Sequence, residues 1–156
     1  MSADFNKRHK RCSGFSALEM LIVVAIFLIL GAVALPRLTT WRSDSNLMGA
    51  IRQVQSDLNW ARMEAVQRSA PVTVTFTSGQ AAYTIWTDRN RNGASDTGET
   101  VSHSVQDSFQ NVSVASNATM VFQPRGTATT TGTVSITNSQ KTRSLSVNAA
   151  GKVMIQ

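Results

Sequence analysis

Hydrophobic side chains run along this chain in three successive patterns, each with its own period. Met20 to Leu35, MLIVVAIFLILGAVAL, carries no charge and no strongly polar group. Extended back through Phe15, Ser16, Ala17 and Leu18, it is long enough to cross a hydrocarbon core of about 30 Å. Its apolar residues cover every face, as burial in lipid requires, whereas a core helix of a soluble domain keeps one polar face. Beyond it the period changes. Leu47, Ile51, Val54, Leu58, Ala61 and Ala65 recur at spacings of 4, 3, 4, 3 and 4, with Arg52, Gln53, Asp57, Arg62 and Glu64 elsewhere. That is one apolar stripe, and it predicts a helix from Phe15 to about Arg68, with Pro71 after its end. The stripe is short for a coiled coil and is expected to pack on the chain's own sheet. Pro36 lacks a backbone N–H and clashes with the preceding turn, and Gly31 adds slack, so a bend or local melting is expected there.

From Pro71 the period becomes two. Val72, Val74 and Phe76 alternate with Thr73, Thr75 and Thr77. Tyr83–Trp86 forms a second strand across a turn at Ser78-Gly79-Gln80. Further strands are expected at Thr100–Ser104, Val112–Ala115, Thr119–Phe122, Thr133–Thr137, Ser144–Asn148 and Lys152–Ile155, with Gly, Asn, Ser and Pro between them. Thr127–Thr133 reads as an exposed loop or edge strand. Successive short strands without intervening helices imply antiparallel sheets packed on the helix, an α+β fold.

Charge adds a direction to this pattern. The net charge is +6, and Lys7, Arg8, Lys10 and Arg11 against Asp4 place half of it in the first 14 residues. A basic block before an apolar segment is a topological signal: it stays in the cytoplasm and the C-terminal part lies outside. The one cysteine, Cys12, stands in this block, which excludes a disulfide scaffold and a zinc site built on cysteines.

The start of the apolar segment is informative. A secretory signal places its small-residue cleavage site after the apolar stretch. Here Gly14 stands before it, so cleavage after Gly14 would remove the basic leader, keep the helix and create an α-amino group on Phe15. Glu19 would then be an acid within an apolar helix. A charge in mid-bilayer costs roughly 2.5–3.5 kcal/mol on insertion scales, so such a residue needs a partner. The Phe15 amine of a neighbouring copy would serve, and would set the stagger between subunits.

The run K-R-H-K-R-C-S-G-F-S-A-L-E-M-L-I-V-V-A-I, followed by Pro36, resembles the type IV pilins and type II secretion pseudopilins. The resemblance implies that a prepilin peptidase cuts between Gly14 and Phe15 and that Phe15 is N-methylated. It makes Glu19 the acidic assembly residue and Pro36 the helix-bending proline. Val121–Ala128, Gly132–Thr137, Ser144–Val147 and Ala150–Val153 resemble the GspH/FimT group of minor pilins and pseudopilins. The implied organisation is a cleaved leader at 1–14, a transmembrane and polymerisation helix at 15–36, its amphipathic continuation at 37–70 and a β-rich periplasmic head at 71–156. The implied partners are other pilins or pseudopilins, the prepilin peptidase, an inner-membrane assembly platform and membrane lipid. Some FimT-type members that bind DNA carry a C-terminal Gly-Arg-x-Arg motif. The corresponding stretch here, Gly151-Lys152-Val153-Met154, lacks the second cation, which argues against a nucleic-acid partner.

Three further constellations carry candidate chemistry. Asp88, Asn90, Asn92, Asp96 and Glu99, with Gly93 at the sixth position, match the ligand spacing of a calcium loop. Strand flanks, Arg89, Arg91 and two Asn ligands favour a polar hairpin loop with Asx-turns instead. No cofactor is therefore expected, calcium being the candidate to test. Arg125, Lys141, Arg143 and Lys152, above all Arg143 and Lys152, are the candidates for a cationic DNA-binding patch, against scattered solvated charges. Catalysis has little support: His9 and His103 stand apart, and no Gly-x-Ser-x-Gly elbow occurs. Trp41, Trp60 and Trp86 read as an interface anchor and core or packing residues. The whole reads as a non-enzymatic minor pilin-like subunit of a type IV pilus, with the pseudopilin of a type II secretion system and a DNA-uptake subunit as alternatives.

Overall fold

A computed structural model of the chain describes residues 15–77 and 79–156. The basic leader with Cys12 and Gly14, and Ser78 of the first turn, lie outside the described residues. The chain divides into two units, Met1–Thr39 and Thr40–Gln156. One helix, α1 (Ala17–Arg68), contributes to both.

In the first unit the apolar side chains of α1 point outward on all sides: Leu21, Phe27 and Leu28 are each more than two-thirds exposed. This is the one described helix long and apolar enough to cross a membrane. The helix is unbroken through position 36, so the local melting expected at Pro36 does not occur. A proline costs a helix one backbone hydrogen bond, and here it does not end it.

The second unit is built on the apolar stripe. Leu47, Ile51, Val54, Leu58, Ala61 and Ala65 are all buried, joined by Ala50. Eight strands follow: β1 (Val72–Phe76), β2 (Ala82–Thr87), β3 (Thr100–Ser104), β4 (Val112–Ser116), β5 (Met120–Phe122), β6 (Gly132–Asn138), β7 (Thr142–Val147) and β8 (Val153–Ile155). They form two four-stranded sheets, ordered β3-β2-β1-β5 and β4-β6-β7-β8, with every pairing antiparallel. The period-two alternation sends Val72, Val74, Tyr83 and Ile85 of one sheet, and Val114, Val134, Ile136, Leu145 and Val147 of the other, into a single core with the helix stripe. Each such fully buried Leu, Ile or Val stabilises by about 1.5–3 kcal/mol. The sheets are tied together by Ala128 N–H to Ala149 O at 3.0 Å and Val114 N–H to Gln80 O at 3.3 Å. Of the Thr127–Thr133 stretch, residues 127–131 form a loop with Ala128 bridged to Phe122, while Gly132 and Thr133 already belong to β6.

The helix ends in a Schellman arrangement. Ala70 N–H reaches Ala65 O at 3.2 Å and Ser69 N–H reaches Val66 O at 3.3 Å. Ser69 supplies the left-handed residue, at φ 51°, where glycine is usual. Arg91 Nη2 donates to the Ser69 carbonyl at 2.6 Å and fixes the turn from outside.

Candidate assembly site

At the start of α1, Ser16 rather than Phe15 defines the boundary. Its Oγ accepts Leu18 N–H at 3.3 Å, and its carbonyl accepts Met20 N–H at 3.2 Å. This is an N-cap. Glu19 therefore stands at the third helical position, completing the Ser-x-x-Glu pattern of a capping box, where the helix dipole favours an acid. The sequence reading assigned Glu19 to intersubunit pairing and missed this local role, although the Ser-x-x-Glu spacing signals it. Phe15 and Glu19 are both exposed, and Glu19 has no side-chain partner among the described residues. Gly14 lies outside those residues, and the side chain of Pro36 is likewise not described.

The five candidate calcium ligands are gathered in the β2–β3 connection, where they bind one another and the backbone. Asp88 accepts Asn92 N–H and Gly93 N–H, both at 3.1 Å. Asn90 and Asn92 close Asx-turns on Asn92 N–H at 3.0 Å and Ala94 N–H at 2.7 Å, and both amides donate to Asp96. Glu99 accepts Arg89 N–H at 2.9 Å, Asp96 N–H at 3.3 Å and the indole N–H of Trp86 at 3.3 Å. Burial alone would raise the Glu99 carboxyl. The N–H donors of Asp96, Arg89 and Trp86 outweigh it and hold the group below the usual carboxylate range. Gly93, Gly98 and Arg91 take the positive φ values that let the loop fold on itself. The oxygens a cation would use are thus engaged by N–H donors, and no metal-suited cluster of His, Cys, Asp or Glu occurs among the described residues.

A polar group that the sequence did not reveal joins the helix to the first sheet. Tyr83 Oη donates to Asp57 Oδ2, and His103 Nδ1 lies 3.6 Å from the same oxygen. The His103 ring stacks on Tyr83 with centroids 5.5 Å apart. Burial first, and the Asp57 carboxylate second, push the Tyr83 phenol well above its ordinary value, with a Gln53 hydrogen bond acting in the opposite direction. Tyr83 opposes His103 across β2 and β3. The strand ranges alone did not fix this register, and on the helix Asp57 read only as a polar position off the apolar stripe.

The candidate DNA-binding cations do not form one patch. Lys141 Nζ pairs with Asp44 at 2.6 Å. Arg143 lies on β7 opposite Ile136, whereas Lys152 precedes β8 and meets Asn148. Five residues of extended strand separate these two levels, about 17 Å. Arg125 stands elsewhere, in the β5–β6 connection beside Arg62. Trp60, expected as core or packing, is 43% exposed, and Trp41 is 68% exposed. Trp86 is half-buried and spends its N–H on Glu99.

An exposed apolar N-terminal helix whose continuation forms the core of a small two-sheet head defines a pilin-type subunit. The family model described as Type II transport protein GspH matches residues 50–151. The chain is 30% identical over 154 residues to the Pilin-like protein PilA1 of Thermus thermophilus, covering 92% of this chain and 97% of that protein. It therefore belongs to the GspH family of pilin-like proteins. Among solved structures, the type IV minor pilin FimU of Pseudomonas aeruginosa superposes with a TM-score of 0.58 at 19% identity, covering 74% of this chain and 92% of that one. The minor pseudopilin EpsH from the Type 2 Secretion System of Vibrio cholerae gives 0.54 at 12% identity, covering 70% and 94%. These two share the fold. The chain is a minor pilin-like structural subunit, anchored by one apolar helix and of a family that assembles into filaments with other pilins.

Proposed function

We propose that the chain is a minor pilin of a type IV pilus, made as a precursor and matured at its N-terminus. A prepilin peptidase removes residues 1–14 by cutting between Gly14 and Phe15, and Phe15 is N-methylated. The basic leader holds the N-terminus in the cytoplasm, the helix spans the inner membrane and the head waits in the periplasm. An assembly platform then moves the helix from lipid into the filament, where apolar faces meet one another.

The observation that carries this reading is Glu19: an exposed acid without a side-chain partner among the described residues, four residues from Phe15, at the head of a helix whose next 16 residues carry no charge. A neighbour's Phe15 amine neutralises it at one stagger only. Glu19→Gln tests the charge while leaving a residue that still suits a capping box. The variant should insert and be cleaved normally but enter filaments poorly. Normal incorporation would contradict the pairing.

A second reading places the same subunit in a type II secretion pseudopilus, favoured by the description of the matching family. The pilin-like relative, 97% of whose length the match covers, favours the pilus. Deleting the gene separates them: loss of surface pili supports the first, loss of protein secretion with pili intact supports the second.

A further inference from the structure

The second unit carries a groove of about 650 Å³ beside the last turns of α1, and the function proposed above makes no use of it. Its floor is apolar. Met63 is 67% exposed and Val66 50% exposed, on the side of the helix turned away from the core. Its polar lining comprises Asn59, Gln67 and two cations, Arg62 and Arg125, with Gly126 beside them.

Arg62 is held in place. Its Nε donates to the Gly126 carbonyl at 2.7 Å. Two turns fold against it, closed by Gly126 N–H to Gln123 O and Gly151 N–H to Asn148 O, both at 2.8 Å. Both glycines have positive φ, 77° and 73°. A Cβ on Gly151 would stand 2.2 Å from the Gly126 oxygen and 3.0 Å from Arg62 Nε, so this packing admits no side chain. The terminal Nη groups of Arg62 have no partner among the described residues. A guanidinium with its position fixed and its fork free is suited to a carboxylate.

Among the described residues no carboxylate lines the groove. In the second unit Asp44 pairs with Lys141, Asp57 with Tyr83, and Glu64 with Arg68, while Asp88, Asp96 and Glu99 are engaged within their loop. Asp107 alone has no side-chain partner among the described residues. Six of the seven acids of the second unit are thus engaged away from the groove, where Arg125 is exposed and Arg62 half-buried.

The geometry points to a docking site for a segment of another filament subunit, in which an Asp or Glu meets Arg62 and Arg125 and an adjoining apolar side chain covers Met63 and Val66. This rests on the filament reading above. Charge complementarity selects an acidic segment, and the apolar floor selects a protein. Nucleic acid fits poorly: no aromatic side chain lines the groove for base stacking, and Arg143 and Lys152 are not part of it.

The test uses the full chain in its host, with Arg125→Glu, Met63→Glu, Arg125→Lys and Glu19→Gln as separate variants. Membrane level and melting temperature are measured beside incorporation into filaments. Both exposed-site changes to Glu should leave fold and insertion intact and lower incorporation about tenfold, the effect of placing like charges in an interface, while Arg125→Lys should keep most of it. Incorporation within about twofold of the parent for Arg125→Glu and Met63→Glu, with Glu19→Gln defective, overturns the groove and leaves the filament reading standing. Unimpaired incorporation in all four sinks both. Duplex DNA is titrated against the detergent-solubilised full chain at two salt concentrations. Binding that Arg125→Glu abolishes would reassign the groove to nucleic acid and overturn the proposal.

Discussion

Tyr83 gives its phenolic hydrogen to Oδ2 of Asp57, so strand β2 and helix α1 are joined by a hydrogen bond that exists only while the phenol stays neutral. Tyr83 is the single tyrosine of the chain, and its side chain is almost wholly buried. Burial and the facing carboxylate both oppose ionisation.

The first prediction concerns alkaline pH. The unfolded phenol ionises near pH 10, while the folded one remains protonated. The contribution of Tyr83 is therefore complete below that pH and is lost as pH rises above it. Phenolate absorbance should appear together with loss of the head's near-ultraviolet circular dichroism, as one transition. A phenolate signal that appears near pH 10 while the head stays folded would contradict the buried contact. Tyr83→Phe should cost about 1–3 kcal/mol, since it leaves Asp57 without this donor.

The second prediction concerns acid. The Glu99 carboxyl is held below the usual range by N–H donors from Asp96, Arg89 and Trp86. A depressed carboxylate stabilises the fold above its unfolded value, near pH 4.3, and that stabilisation fades as pH falls through the folded value. NMR titration of the full chain in detergent should give Glu99 a midpoint below that of an ordinary glutamate, tracked by the Trp86 indole proton. A midpoint at or above the ordinary value would show that the loop does not hold the carboxylate as described.

The third prediction compares two glycines in left-handed turns. Gly79 faces open space, so Gly79→Ala should cost only about 1 kcal/mol of backbone strain. Gly151→Ala adds a clash with the Gly126 carbonyl and should cost at least about 2 kcal/mol more. Equal melting temperatures for the two variants would mean that the turns at Gly126 and Gly151 are not packed on Arg62.

Most of the head was legible in the sequence because its determinants are periodic. The six stripe residues are all buried, and each of the eight strands lies where alternation put it, β7 opening two residues early at Thr142. Such patterns report burial, which is summed over many residues and tolerates local error. The pairings between remote single residues were not legible. Arg62 meets Gly126 across 64 positions, and Asp57 meets Tyr83 across 26. Nothing periodic marks either contact. The turn glycines gave a partial signal, since Gln123-Pro124-Arg125-Gly126 and Asn148-Ala149-Ala150-Gly151 each end in the glycine a β-turn favours at its fourth position. Trp60 was misplaced because an aromatic residue in an amphipathic helix was weighed by its type, although it lies off the stripe. At Pro36 the expected continuous helix is present without local melting.

The central claim is that an apolar helix with a new amine at Phe15 and an acid at Glu19 is what makes this chain a filament subunit. Intact mass spectrometry of the protein purified from processing-competent native membranes tests it most directly. The account predicts a chain that lacks residues 1–14 and begins with N-methylated Phe15. A chain still carrying Met1 or Ser2 at its N-terminus would contradict it.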